Sequence, residues 1–413
     1  MKIIVANYRF FIAGGPERYM FNFMTAAQNR GIEIIPFSVQ NARNVETKYC
    51  TYFAKPRADA LMYSDTKRSL ANLCGMFRAV VWNRDASTRL RRLIRDTKPD
   101  AVYILHEVNH LSPSIIRAAK KEGVRVVHRI SDFFMFCARY DFLYENNICE
   151  ACIHGNYEMA VRRRCVKGSR AATWLRILAM KLYQWNGVFK DVDIFVTPTA
   201  FTRRKLIEGG VPASKIVHIP TFVDCERVTP CYTQDKYFLF LGRVAEQKGT
   251  IYAIQAMNHL RDSEYILKIT GVLSDTKEDL ELKRYIETHH LENKIVFTGF
   301  LKGDALEHLI SQAVCVVCPA IWYENMPNAV LEAYAHGKAV VASRIGSMDE
   351  IVEEGETGFL FTPKDSYELA EQLKRFIDDK NLSRYLGENA RKKCETEYGE
   401  AIHMERVLTC LFY

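Results

Sequence analysis

Apolar residues along this chain gather in short unbroken runs, separated by longer stretches of helical periodicity. Lys2-Ile3-Ile4-Val5-Ala6 is the first run. It is too short and too continuous for one face of a helix, and suits a strand buried on both sides. A Gly14-Gly15 turn follows, then a helical pattern over 17–30 and a second strand over 31–37. The rhythm returns with strands over 101–105, 124–127 and 193–196 and helices over 113–122 and 201–208. Alternation of this kind predicts a doubly wound α/β sheet.

Residues 222–235 include Pro230, show little periodicity, and read as a linker. Beyond them, runs over 237–241, 265–270, 294–297, 314–318 and 339–342 predict a second set of strands with helices between, and 367–413 reads as helical. A chain of 413 residues is long for one core. The expected plan is a domain over 1–221, the linker, a domain over 236–396 and a closing helix over 397–413. In such sheets ligands bind outside the carboxyl ends of the strands.

Composition narrows the class without changing that plan. With 48% hydrophobic and 26% charged residues, the chain is neither disordered nor fibrous. No apolar run approaches the roughly 18 residues needed to span a bilayer. Arg9 interrupts the apolar start, so the N-terminus reads as strand and turn rather than a secretory signal, and the chain is expected to be cytoplasmic. Most of its 12 cysteines are then expected to be reduced. Charge is uneven: residues 1–221 hold 35 Lys and Arg against 18 Asp and Glu, and the rest hold 22 against 31. The basic half predicts an anionic neighbour, either a membrane surface, a phosphorylated lipid or a nucleic acid.

Four segments of the second half carry candidate binding chemistry. Leu241-Gly242-Arg243-Val244-Ala245-Glu246-Gln247-Lys248-Gly249 follows a strand and precedes a helix. There Arg243 and Lys248 can set two cations over a diphosphate. Glu324-Asn325-Met326-Pro327-Asn328-Ala329-Val330-Leu331-Glu332 leads into a helix. Pro327 suits its first turn, Asn325 or Asn328 its cap, and its open amides suit phosphate or sugar oxygens. Val296-Phe297-Thr298-Gly299-Phe300-Leu301 ends a strand with backbone that can meet a nucleobase. Gly355-Glu356-Thr357-Gly358-Phe359-Leu360 is a tight turn before a strand. Each is weak alone; a basic loop or an unrelated pair of glutamates is common.

In this order, the four segments resemble the retaining GT-B glycosyltransferases called family 4. Gly14-Gly15-x-Glu17 and Gly210-Val211-Pro212-x-x-Lys215-Ile216 extend the resemblance over nearly the whole chain. It implies two Rossmann-like domains facing a central cleft, with the C-terminal helix crossing back to the first domain. It also implies a nucleotide-sugar donor, UDP- or GDP-linked, and a glycan or lipid-linked acceptor. Arg243 and Lys248 would hold the diphosphate, with no cofactor or metal required for transfer. Glu332 would bind the ribose, Glu324 the sugar ring, and the backbone near Met326 to Asn328 the sugar and phosphate. Gly15 and Phe300 complete the expected donor set.

In the first half, His106 ends the 101–105 strand, and the resemblance makes it a candidate to orient the transferred sugar. The family's His-Asp pair after the next strand is here Ser131-Asp132, which leaves Asp132 as the candidate site residue. Asp191-Val192-Asp193, the one Asp-x-Asp, reads as structural. Cys137, Cys149, Cys152 and Cys165 form a C-x11-C-x2-C-x12-C array with His154 nearby, which predicts a structural zinc stapling a cysteine-rich excursion over 137–165. Cys315 and Cys318 fall inside a strand on opposite faces and read as core.

Arg162-Arg163-Arg164, Lys167 and Arg170 precede a helix carrying Trp174, Leu178 and Met180. Packing on the sheet is one reading; docking on the inner face of an anionic membrane as a peripheral protein is the other. A nucleic-acid site is not expected, because residues 162–170 hold no aromatic for base stacking. The alternatives to transfer are another GT-B activity, such as a sugar-nucleotide epimerase, or a non-catalytic binding module.

Overall fold

The computed structural model describes residues 1–56, 81–108, 110–274 and 276–413. The chain divides into two compact units, one of Met1–Phe142, Glu150–Ile219 and His403–Tyr413, the other of Leu143–Cys149 and Pro220–Ile402.

In the first unit the strands are β1 (Lys2–Asn7), β2 (Glu33–Phe37), β3 (Ala101–His106) and β4 (Arg125–Arg129). A short antiparallel hairpin, β5 (Leu143–Tyr144) with β6 (Asn147–Ile148), interrupts the series and belongs to the second unit. Strands β7 (Ile194–Thr197) and β8 (Ile216–His218) complete a parallel sheet of order β2-β1-β3-β4-β7-β8. Ile3, Ile4, Val5 and Ala6 are all buried, as an unbroken apolar run with helices on both faces requires. The helix Gly15–Asn29 starts after an extended Gly14, with Pro16 in its first turn where a missing N–H costs nothing. Residues 403–413 return to this unit. There the Tyr19 hydroxyl lies 2.8 Å from that of Tyr103 and 3.0 Å from His403 Nε2, while Arg125 Nε donates to the Cys410 carbonyl at 2.8 Å.

The second unit holds β9 (Tyr237–Phe240), β10 (Ile266–Thr270), β11 (Ile295–Gly299), β12 (Cys315–Cys318), β13 (Ala339–Ser343) and β14 (Gly358–Phe361). They form a parallel sheet of order β11-β10-β9-β12-β13-β14. Side chains alternate between two cores, one per face. Phe238, Phe240, Cys315, Val317, Val341, Phe359 and Phe361 pack with the helices Thr250–His259, Lys277–Thr288 and Ser366–Asp378. Tyr237, Leu239, Val316, Cys318, Val340 and Leu360 pack on the other side with Asn328–Ala335 and Leu382–Glu397. Cys315 and Cys318 thus lie in different cores, as their spacing predicted.

The doubly wound α/β plan holds in both units. The differences are local. The region expected to be helical over 367–413, with a closing helix over 397–413, is three helices, Ser366–Asp378, Leu382–Glu397 and Glu400–Phe412, because periodicity does not register the turn at 379–381. Strand β8 is only three residues long, too short to announce itself as an apolar run. Among the described residues no helix is long and apolar enough to cross a membrane.

Candidate functional site

Each sheet reverses its winding once. In the first unit β1 connects to β2 on one side and β3 lies on the other; in the second, β9 sits between β10 and β12. Crevices at the carboxyl ends of such paired strands are where open α/β sheets bind ligands. The chemistry-bearing residues collect at those ends.

In the first unit β1 and β3 finish at Asn7 and His106, tied by the Tyr8 amide donating to the His106 carbonyl at 2.9 Å. His106 Nε2 lies 3.1 Å from Asp132 Oδ2, with the side chains 18% and 21% exposed. The next residues hold that carboxylate in place. The Phe134 amide donates to Asp132 Oδ1 at 2.9 Å, and the Ser131 hydroxyl donates to the Leu105 carbonyl at 2.8 Å. Position 131 therefore supplies a brace, and the imidazole beside Asp132 comes from His106, 26 positions earlier in sequence. Burial pulls the His106 pKa down, but the hydrogen bond and charge of Asp132, with Glu107 and Glu17, outweigh it and leave it raised. The pair is an imidazolium–carboxylate couple over a wider pH range than a lone histidine allows.

Behind it lies a second couple that motif reading missed. Glu107 Oε2 is 3.0 Å from His128 Nε2, both buried. Burial raises the Glu107 pKa, yet His128 and His106 turn the net shift downward, so it stays ionised. Leu105, Val108, His128, Ile130, Ser131, Phe134 and Met135 line a small recess with these groups. Tyr8 meets the His106 ring edge-on at 4.8 Å, and burial pushes its hydroxyl up to about 12, so it is neutral. Gly15 opens the helix nearby in sequence, and Glu17 on that helix is buried with Arg9 Nη1 at 3.8 Å.

In the second unit the backbone after β9 turns at Gly242, whose amide donates to Thr270 Oγ1 on β10 at 3.0 Å. The loop closes at Gly249, which caps the helix Thr250–His259 with φ +69°. A Cβ there would stand 1.8 Å from the Pro319 carbonyl oxygen, so this position demands glycine. That contact, with the Ile321 amide donating to the Gln247 carbonyl at 3.0 Å, clamps the basic loop to the segment after β12.

The clamp brings Lys248 to Glu324. Lys248 Nζ is 2.5 Å from Glu324 Oε1, and Trp322 Nε1 donates to the same oxygen at 2.6 Å. The Ser347 hydroxyl donates to the Glu324 carbonyl at 2.5 Å. Glu324 is 8% exposed, so its position is set by these donors. Arg243 is exposed, and among the described residues no acidic partner holds it. The helix after Glu324 starts one residue later than expected. Pro327 itself stands at the cap, neither Asn325 nor Asn328 caps it by a side chain, and Asn328 is the first helical residue. An uncapped helix start is a ready site for anionic oxygens. Glu332 lies one turn on, half-buried; Met326 packs on the core beneath. Phe300 is exposed beyond β11, after Gly299 with φ +73°.

The cysteine-rich excursion over 137–165 holds the four cysteines of the expected zinc array. Among the described residues no group of three or more His, Cys, Asp or Glu side chains is placed to hold a metal ion. Ala138, Cys152, Tyr157, Ala160, Ile177 and Met180 form a small core there, with Cys165 packed against it. Asp191 and Asp193 are structural: Arg117 pairs with the first, and Lys120 Nζ is 2.6 Å from the second, which also accepts from the Val126 amide.

Comparison with known proteins shows the family. The family described as Glycosyltransferase Family 4 matches residues 13–227, and Glycosyl transferases group 1 matches 226–393. An uncharacterized glycosyltransferase of Methanocaldococcus jannaschii is 32% identical over 167 residues, which is 40% of this chain and 41% of that protein. The alpha-D-kanosaminyltransferase of Streptomyces kanamyceticus is 30% identical over 156 residues, 37% of this chain and 39% of the relative. The match thus spans about two fifths of the length of each. Among solved structures, Anabaena HepE in complex with UDP and glucose superposes with a TM-score of 0.70 at 15% identity, covering 100% of this chain and 99% of that one. Sucrose-phosphate synthase from Thermosynechococcus elongatus gives 0.70 at 17%, covering 99% and 98%. These likenesses show the GT-B fold. With matches running from residue 13 to residue 393 and the motif residues gathered at both switch points, the chain belongs to Glycosyltransferase Family 4.

Proposed function

We propose that this chain is a retaining glycosyltransferase that moves a sugar from a UDP- or GDP-linked donor to a glycan or lipid-linked acceptor. The observation that carries the reading is the Lys248–Glu324–Trp322 cluster at the β9/β12 switch point, beside the uncapped helix start at Asn328. Arg243 and Lys248 supply two cations for the diphosphate, which spreads the charge that develops on the leaving group and makes a metal unnecessary there. Glu324 and Glu332 take hydroxyls of the sugar ring and the ribose. Phe300 and the backbone beside it meet the base, while Met326 and Asn328 line the sugar and phosphate. Gly15 keeps the entry to the first helix open to the donor. His106, oriented by Asp132, holds the transferred sugar.

Retention is supported by the family resemblance. The bond from the anomeric carbon to the diphosphate breaks as the acceptor oxygen closes on the same face, and the leaving phosphate oxygen takes the acceptor proton.

Thermal-shift screening against UDP, GDP and their sugars tests the donor half. Stabilisation by one nucleotide, lost in Arg243→Ala and Lys248→Ala, is expected. Indifference to every nucleotide would remove the reading. For the product, nuclear magnetic resonance of the new linkage reports whether the anomeric configuration is kept.

A further inference from the structure

The helix Arg170–Asn186 has one face committed to the first unit and one that is exposed. Thr173, Arg176, Ile177, Ala179, Met180 and Tyr183 are buried. Arg176 is seated over the Phe134 ring, 3.0 Å from its centroid, so this side of the helix is fixed in place. The opposite side carries Trp174 at 58% exposure, Leu178 at 45% and Trp185 at 86%, with exposed Lys181 among them. Spacings of four, seven and eleven from Trp174 put these four side chains in one stripe, roughly 60° wide at 100° per residue.

The surroundings of the stripe are cationic. The helix sequence RAATWLRILAMKLYQWN contains no acidic residue. Arg164, Lys167 and Arg170 are exposed at its entrance. Arg162 next to them is tied to Glu158, so that one acidic side chain is already engaged. Two indoles with an aliphatic residue between them, bordered by cations, match the layering of a lipid interface. Indole rings favour the headgroup level, where one edge is apolar and the N–H is wet, and cations meet acidic headgroups.

We propose that this face docks the protein on an anionic lipid bilayer, with Trp174, Leu178 and Trp185 inserted at headgroup depth and Arg164, Lys167, Arg170 and Lys181 against the lipid phosphates. A second copy of the chain is a poorer occupant. Three apolar side chains are few against the roughly 800 Å² per partner of a stable interface, and the stripe has no acid to answer its own cations. The proposal goes beyond the transfer reading, and it rests on the surface of the first unit alone.

The test uses the full chain and vesicles of phosphatidylcholine with or without phosphatidylglycerol. Co-sedimentation with the acidic vesicles only, together with quenching of indole emission by brominated lipid, is expected. The double variant Trp174→Ala/Trp185→Ala should bind acidic vesicles at least about tenfold more weakly, and Lys167→Glu/Arg170→Glu should erase the preference for them. The thermal shift with nucleotide should persist in both, which shows that they fold and separates this proposal from the donor reading. If nucleotide shifts are absent in every form while vesicle binding follows the pattern above, the donor reading fails and the docking stands. Vesicle binding unchanged in the tryptophan variant, no quenching in the unmodified protein, full competition by soluble glycerol phosphate, or a dimer that the tryptophan variant abolishes would each overturn the docking.

Discussion

Glu324 holds two donors on one carboxylate oxygen, and Lys248 is the one a diphosphate can attract away. A charge-assisted hydrogen bond contributes about 1.5–3 kcal/mol. Lys248→Ala should therefore weaken nucleotide binding about 10- to 100-fold, with Lys248→Arg in between, as read by titration calorimetry. Trp322, the second donor, has no counterpart in the motif reading, because an indole two residues before a glutamate announces nothing until the loop folds back. His106 and Asp132 were legible as separate candidates, each at a strand end; their pairing at 3.1 Å was not, since 26 positions separate them. That pair carries a pH signature. Because the folded His106 pKa is raised, its stabilisation is complete below the unfolded value of about 6.5 and is lost as pH rises through the folded value. Denaturant melts of the unmodified protein and Asp132→Asn should differ most near the acid side of neutrality and converge at alkaline pH. A gap that stays constant with pH would show that the charge pair is not its cause.

Between residues and whole molecule, the elements decide how exactly spaced motifs become a site. The basic loop works because Gly249 permits contact with Pro319; with φ +69° and no room for a Cβ, Gly249→Ala should cost at least about 2 kcal/mol. Nucleotide binding should fall with it, since the same backbone contact brings Lys248 to Glu324. A control at a different element is Thr276, whose side chain and Asp279 form a capping box at the start of Lys277–Thr288. Thr276→Ala should cost about 1 kcal/mol in a chemical melt. Element type was readable wherever apolar runs or periodicity lasted several residues, as in β1, β9 and β13. Element ends were less so. The start of the Asn328–Ala335 helix moved by one residue because proline tolerates the cap and the first turn alike, and the closing helical stretch broke at a turn that leaves its apolar period intact.

On the scale of the molecule, residues 403–413 show how distant sequence completes a core. Met404, Val407 and Leu411 are fully buried in the first unit, and His403 reaches Tyr19 across 384 positions. Met404→Ala should cost about 2–5 kcal/mol as a large-to-small core change, read as a lowered denaturation midpoint. If the midpoint does not move, these residues are not part of that core.

The sequence by itself determined the alternating elements, the two sheets they build and the family to which the ordered motifs belong, because burial on both faces and the order of glycine, basic and acidic segments are properties of neighbouring positions. Only the tertiary structure decided which residues of those motifs come together. The pairing of β9 with β12 seats Lys248 on Glu324, and the pairing of β3 with β4 seats His106 on Asp132. It also decided what packs around the cysteine-rich excursion: Ala138, Tyr157, Ala160, Ile177 and Met180 close on Cys152 from positions that its spacing does not announce.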